Sequence, residues 1–342
     1  MSLDPTMDRR GVLAALGCAL LTPAVATAQT PKVVRLGLLS PDATFSDTSP
    51  LLAAFRRGLA DHGWVEGKNV ELIRRFSAGD RSLFVGNSLI ALGVDLLVAA
   101  STFGAKIARD ATSTIPIVFV GVSDPVGSGL LPRLEPPRGN NVAGVTDADV
   151  RSSARSLALL KQAAPTVSRV ALLANPAAPL ASRYIAEVEV AAPALGLMIR
   201  RRDVREPEEL PAAFAGMLRD YDQAMLVLPD PIFNALRAPL VAFAAEHRVP
   251  ALYGYRTFAP AGGFMTYGTD LPDVYRRAAG LVDRILKGAA PGDLPIEGPT
   301  KFHLAINLAT AQRLRLTVPE SLRRQADQLI APTPASGGPG KS

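Results

Sequence analysis

At 342 residues, 48% apolar and 6% aromatic, the chain is long enough for two hydrophobic cores and too apolar for a disordered protein. Its formal charge of +6 is spread over Arg56-Arg57, Arg74-Arg75, Arg276-Arg277, Arg323-Arg324 and the run Arg200 to Arg202. A nucleic-acid face needs clustered cations with aromatic interleaving, so no nucleic acid is expected as a partner and these groups read as solvated faces.

Residues 1–28 read as an export signal peptide. Arg9 and Arg10 give a charged start, 11–25 is apolar, and Ala26-Thr27-Ala28 is a small-residue cleavage site before Gln29. The Arg9-Arg10-Gly11-Val12-Leu13 run fits a twin-arginine signal in part, and a Sec signal also begins with basic residues, so both routes to the periplasm stay open. Met7 is an alternative start. Cys18, the single cysteine, lies inside this signal with Ala15 where a lipoprotein signal needs leucine. The mature chain then has no thiol, which removes disulfides and cysteine catalysis. No later run approaches the roughly 20 apolar residues of a spanning helix, so no stable membrane insertion is expected.

Strands and helices then alternate. A strand at 33–39 leads to a helix at 50–62 with Ser49 as N-cap, Pro50 in its first turn, apolar Leu51, Leu52, Phe55 and Leu59 on one face, and Gly63 closing it. Further strands are predicted at 70–76, 96–100, 115–120 and 141–145, with helices at 80–92 and 103–111. Residues 115–120 are nearly all β-branched or aromatic, as in a parallel strand covered on both faces. Gly121 ends that strand, so Ser123 and Asp124 fall at the carboxyl edge where open α/β sheets hold ligands.

The pattern restarts with helices at 150–164, up to Leu195, at 211–218 and at 233–247, and with strands at 170–174, 197–204, 224–228, 251–253 and 264–267. The fold class expected is α/β, with two doubly wound parallel-sheet lobes facing across a cleft. The clearest helix follows: Val274, Ala278, Leu281, Val282, Ile285 and Leu286 share one face, and Lys287-Gly288 ends it. The tail, 331–342, reads as disordered. Its Gly-rich end satisfies a loosened P-loop pattern, but no helix can follow to receive a phosphate.

The catalytic search is negative. His62, His247 and His303 are isolated, no nucleophile elbow or dinucleotide fingerprint occurs, and Glu208-Glu209 sits at a helix start where acids belong. No catalytic residue, cofactor or metal is expected, and the chain reads as a non-enzyme. What remains is a set of polar strand-end loops: Ser40, Ser101-Thr102, Ser123-Asp124, Asn175-Pro176, Asp230-Pro231, Gly254-Tyr255-Arg256 and Gly268-Thr269-Asp270. Each polar residue could instead cap its own helix; recurrence on both sheets is what favours a site. Ser101 and Thr102 before a helix make a carboxylate receptor. Asp124, Asp230 or Asp270 could meet an ammonium group or hydroxyls, while Tyr253, Tyr255 and Tyr267 either stack on a flat ligand or pack in the core. An amino acid or related small organic acid suits this set.

The segment TSTIPIVFVGVSDPVGSGL at 112–130 resembles a signature of the ABC transporter substrate-binding family, type I periplasmic binding proteins that include binders of tryptophan and related compounds. GLADHGWVEGKN at 58–69, NNVAGV at 140–145, Leu228-Pro-Asp-Pro231, Tyr253-Gly254, Ala261-Gly262-Gly263, Tyr267-Gly268 and Pro299-Thr300-Lys301-Phe302 to Asn307 are similar to further family blocks, in order, over about residues 33–328. The resemblance implies a monomeric solute-binding subunit of an ABC importer that delivers its solute to a permease and its ATPase. It implies lobe 1 from 29–145 plus 269–292, lobe 2 from 146–268 plus 293–330, and a hinge of three crossings. It also implies ligand contacts at Ser40, Ser101, Thr102, Ser123, Asp124, Asn175, Asp230, Tyr253 and Tyr267. Relatives often carry Gly-Thr-Pro-Ala where this chain has Ser101-Thr102-Phe103-Gly104-Ala105, so their specificity does not transfer. The rivals are an exported sensing module for a membrane receptor and an exported enzyme on the same fold; a repressor would need a DNA-reading helix pair where the export signal stands.

Overall fold

The computed structural model describes residues 33–40, 43–76, 86–134 and 139–331. The expected export signal, the start of the helix placed at 80–92 and the tail beyond Ala331 lie outside the described residues.

The first lobe is built on β1 (Val34–Ser40), β2 (Val70–Phe76), β3 (Leu96–Ala100), β4 (Ile117–Val120) and β5 (Val142–Val145), all parallel in the order β2-β1-β3-β4-β5. Its helices are α1 (Pro50–Asp61), α2 (Gly86–Ile90) and α3 (Ser101–Ala111). Continuous apolar strands follow from burial of both faces: on β4, Val118 and Val120 join one core while Ile117 and Phe119 join the other. The Ser49 hydroxyl accepts from the Leu51 N–H, and Leu52, Phe55 and Leu59 bury one face of α1.

The second lobe carries β6 (Arg169–Ala174), β7 (Met198–Asp203), β8 (Ala224–Val227), β9 (Ala251–Tyr253), β10 (Met265–Thr269), β11 (Phe302–Asn307) and β12 (Gln328–Ile330), in the order β12-β11-β10-β9-β8-β6-β7. Its helices are α4 (Ser152–Ala163), α5 (Ala181–Ala191), α6 (Leu210–Arg219), α7 (Pro231–Ala235), α8 (Arg237–Glu246), α10 (Leu308–Arg313) and α11 (Glu320–Gln325). Three features differ from the sequence reading. β11 and β12 were not foreseen, and β11 runs antiparallel to β10, so this sheet is mixed. The helix expected over 233–247 is two helices, because Pro239 has no N–H and its ring clashes with the carbonyl of Ala235, breaking the run at Leu236. Arg202, read as part of a solvated face, is 12% exposed and paired with the fully buried Asp222 carboxylate.

α9 (Leu271–Leu286) follows β10 of the second sheet but packs in the first lobe. Val274, Tyr275, Ala278, Leu281 and Val282 join the core of β1, β3 and β4, as its apolar face requires. Gly58 on α1 allows this: a Cβ there would collide with the Arg276 carbonyl oxygen and press on the Ala279 methyl. Gly→Ala inside a helix normally stabilises. Here the sign reverses, and Gly58→Ala is expected to cost about 1–3 kcal/mol in urea denaturation, since backbone cannot yield as a side chain can.

Candidate functional site

Three crossovers join the lobes: residues 146–151 between β5 and α4, 270 between β10 and α9, and 287–301 between α9 and β11. They are bonded to one another. Thr146 N–H donates to the Glu297 carbonyl at 2.8 Å, Asp270 N–H to the Lys301 carbonyl at 3.0 Å, and Thr269 Oγ1 to the Asp147 carbonyl at 2.6 Å. The carboxyl ends of strands from both sheets meet at this junction.

In the first lobe β3 passes into α3 without a connecting residue. Ser101 makes that turn with φ 66, a left-handed conformation costing a non-glycine residue about 1–2 kcal/mol. Its Oγ lies 3.5 Å from the Gly104 N–H as acceptor, and Thr102 follows half-buried, so two hydroxyls stand at the positive end of α3. β4 ends at Gly121, φ 69; a Cβ there would lie 3.8 Å from Asp147 Oδ2 and 4.0 Å from Tyr275 Oη. Ser123 Oγ donates to Asp147 Oδ1 at 2.8 Å, while Asp124 Oδ1 accepts the Gly127 N–H at 2.8 Å within its own turn. Ser40, at the end of β1, is fully buried.

In the second lobe Asn175 Nδ2 donates to Asp230 Oδ2 at 3.3 Å, and Asp230 Oδ1 accepts the Ile232 N–H at 2.9 Å, capping α7. Asp270 likewise caps α9 through the Asp273 N–H. Strand alternation turns Tyr253 away from the cleft: it is 0% exposed, and its ring stacks on Phe258 at 4.1 Å among Phe233, Leu240 and Phe243. Tyr255 beyond the strand end is half-buried, and Tyr267 stacks on Phe302 at 5.5 Å.

Of the expected site residues, Ser123 is thus brought beside the first crossover, Asp124 is bound within its own turn, Asn175 and Asp230 form one pair, and Tyr253 packs in a core. Sequence reading missed Asp147 and Tyr184. Asp147 carries the same signal as the others, a polar residue just past a strand, but it stands in a crossover read as connection. Tyr184 sits on α5 with nothing in the periodicity to mark it. Desolvation holds the Asp147 carboxyl above the ordinary carboxylate range, with the Ser123 hydrogen bond opposing. Burial, then the charge of Asp147, pushes the hydroxyls of Tyr184 and Tyr255 up, so one charge is felt from α5 and from the loop after β9. Among the described residues no three metal-ligating side chains gather, and no helix is long and apolar enough to cross a membrane.

The profile of the family described as ABC transporter substrate binding protein matches residues 49–330. The chain belongs to the ABC transporter substrate-binding protein family. A tyrosine-binding protein of Clostridioides difficile is 24% identical over 263 residues, 76% of this chain and 75% of that protein. The fold is shared with an ABC domain from Streptococcus pneumonia in complex with L-Trp, at TM-score 0.70 and 24% identity over 87% of this chain and all of that one. It is shared also with a ligand-free, open substrate binding protein from Clostridium difficile, at TM-score 0.72 and 20% identity over 87% of this chain and 98% of that one. These relatives are described as a tyrosine-binding protein, a domain in complex with L-Trp and a substrate binding protein. In this family member Asp147 stands in the first of the bonded crossovers, hydrogen-bonded to Ser123 of the first lobe through its side chain and to Thr269 through its carbonyl.

Proposed function

We propose that this protein is the periplasmic solute-binding subunit of an ABC importer, which captures a small organic solute by hinge closure and passes it unaltered to a permease and its ATPase. The solute class is an amino acid, an aromatic acid or a related carboxylate. The signal at 1–28 would take the chain across the membrane, and no covalent step, cofactor or metal enters the reading. Lobe 1 comprises 29–145 with 269–292, and lobe 2 comprises 146–268 with 293–330. The carrying observation is the meeting of both carboxyl edges at bonded crossovers, because a ligand shifts a two-state hinge only by contacts it makes better in the closed state. Ser101, Thr102 and the first turn of α3 receive the carboxylate. Ser123 lies on the same lobe, with Ser40 buried at the end of β1, while Asn175, Asp230, Tyr255 and Tyr267 line the opposing loops. The tyrosine- and tryptophan-binding relatives support the choice of solute class.

The purified chain is titrated with amino acids, aromatic acids and small carboxylates while its unfolding is followed. A true solute raises Tm progressively, by the equivalent of about 2.7 kcal/mol at a hundredfold excess over Kd. The solute must also be recovered unchanged. Ser101→Gly supplies the control on the site: glycine takes φ 66 without strain, so stability should hold while affinity falls about tenfold from loss of the hydroxyl. No response across the whole series, or chemical conversion of the bound compound, would overturn the reading.

A further inference from the structure

Besides Asp147, four carboxylates just past strand ends are already engaged. Asp124 closes its own turn at Gly127, Asp230 caps α7 and accepts from Asn175, Asp270 caps α9, and Asp149 is paired with Arg151 at 2.9 Å. Asp147 differs. Its Oδ1 accepts from Ser123, and among the described residues no cation pairs with it. Its Oδ2 lies on the side of Gly121, where the missing side chain leaves room beside the Tyr275 hydroxyl. The Tyr184 and Tyr255 hydroxyls sense its charge from the second lobe.

A half-buried carboxylate with no cation beside it among the described residues is costly, and the Ser123 hydrogen bond offsets that cost only in part. A cation arriving from outside would relieve the rest. An ammonium group has three N–H donors and one full positive charge, and a carboxylate is the acceptor that answers both. The loop is also held ready, since Thr269 fixes the Asp147 carbonyl and Ser123 fixes the carboxylate plane, so little ordering remains to be done on binding.

We propose that Asp147 is the acceptor for a ligand ammonium group, and that it restricts the solute to amino compounds. The inference rests on the solute-binding reading and narrows it: simple carboxylates and aromatic acids without an amino group are excluded, and amino acids remain. Asp147 in the crossover and the carboxylate receptor at Ser101-Thr102 then take opposite ends of a zwitterion. The arrangement also explains why, among the described residues, Asp147 carries no arginine or lysine partner, which would compete with the solute.

The test is calorimetric titration of the unaltered full chain with the twenty amino acids and, in parallel, with their deamino counterparts, 3-(4-hydroxyphenyl)propionate for tyrosine and indole-3-propionate for tryptophan among them. Binding by an amino acid and at least hundredfold weaker binding by its deamino counterpart supports the proposal. Asp147→Asn should lower amino-acid affinity about a hundredfold and bring the two series together, with unfolding curves run to check that it is folded. Should that variant fail to fold, the comparison of the two series on the unaltered chain still decides. Equal affinity for both series, or an Asp147→Asn variant that folds and binds as before, overturns this proposal alone. Silence from both series overturns this proposal, and silence also from the other aromatic acids and small carboxylates overturns the solute-binding reading with it.

Discussion

Replacing Arg202 with methionine will destabilise the protein by about 3–5 kcal/mol, the cost of leaving a buried carboxylate without its charge partner. Arg202 reaches inward from β7 and places Nη2 2.6 Å from Asp222 Oδ2 and 2.8 Å from Asp220 Oδ2. Its Nε adds a second bond to Asp222 at 3.2 Å. The Asp222 side chain is fully buried, and its other oxygen has no hydrogen bond, with Arg200 Nη1 at 3.7 Å. Take Arg202 away and, among the described residues, Arg200 is the cation that remains, too far for a hydrogen bond.

The companion variant separates the mechanism from a loss of packing. In Arg202→Met with Asp222→Leu both charges are gone, so the desolvation penalty disappears together with the pairing energy. Most of the lost stability should return, because apolar residues of similar volume replace buried ion pairs with little or no cost. A single variant that unfolds at the same denaturant concentration as the unaltered chain would show that the pair contributes nothing. A double variant no better than the single would assign the loss to packing of the arginine stem.

The same residue shows what the sequence could and could not convey. Arg200 to Arg202 reads as a run of charge, but on a strand alternate residues face opposite ways. Arg200 and Arg202 therefore point together toward the end of α6, while Arg201 turns to the other face and pairs with Asp203 at 2.6 Å. The two-lobed α/β architecture was legible because strands buried on both faces and helices with one apolar face have distinct periods, as β4 and α9 display. β11 was not legible. Its residues 302–307 begin with polar His303 near the front and follow a long return from α9, so the local pattern does not reveal an antiparallel partner in β10. At the site, Ser, Asp and Asn past a strand signal a cap and a ligand group equally well. Asp124, Asp230 and Asp270 all proved to make the local bond, whereas Asp147 caps nothing and stands between lobes. Only the three-dimensional meeting of crossovers distinguishes them.

From that position of Asp147 a second large effect follows: the affinity for an amino acid will rise with pH through the acid range, by up to tenfold per pH unit, and then level off. The sign comes from two displacements in opposite directions. In the free protein, desolvation holds the Asp147 carboxyl above the ordinary carboxylate range, against the opposing Ser123 bond. In the complex a neighbouring ammonium favours the charged form and draws it down. The complex therefore binds fewer protons than the free protein between those two values, and raising the pH across that interval drives association. Above the free-protein value both states are ionised and the dependence ends. Ser123 from the β4 loop bonds Asp147, Tyr275 from α9 stands across the Gly121 opening, and Tyr184 from α5 and Tyr255 from the loop after β9 feel its charge; Asp230 acts on Tyr255 in turn, and Asp149, paired with Arg151, lies in the same crossover. Tyr184 and Tyr255 are pushed further from neutrality and stay protonated throughout. Asp147→Asn isolates the effect, since the variant retains the other groups and the titration of the solute's own carboxyl. Its affinity should be low and nearly flat from about pH 4 upward, the upper edge of ordinary carboxylate titration. A slope that survives the substitution would place the titrating group elsewhere in the cleft, with Asp230 the carboxylate to replace next.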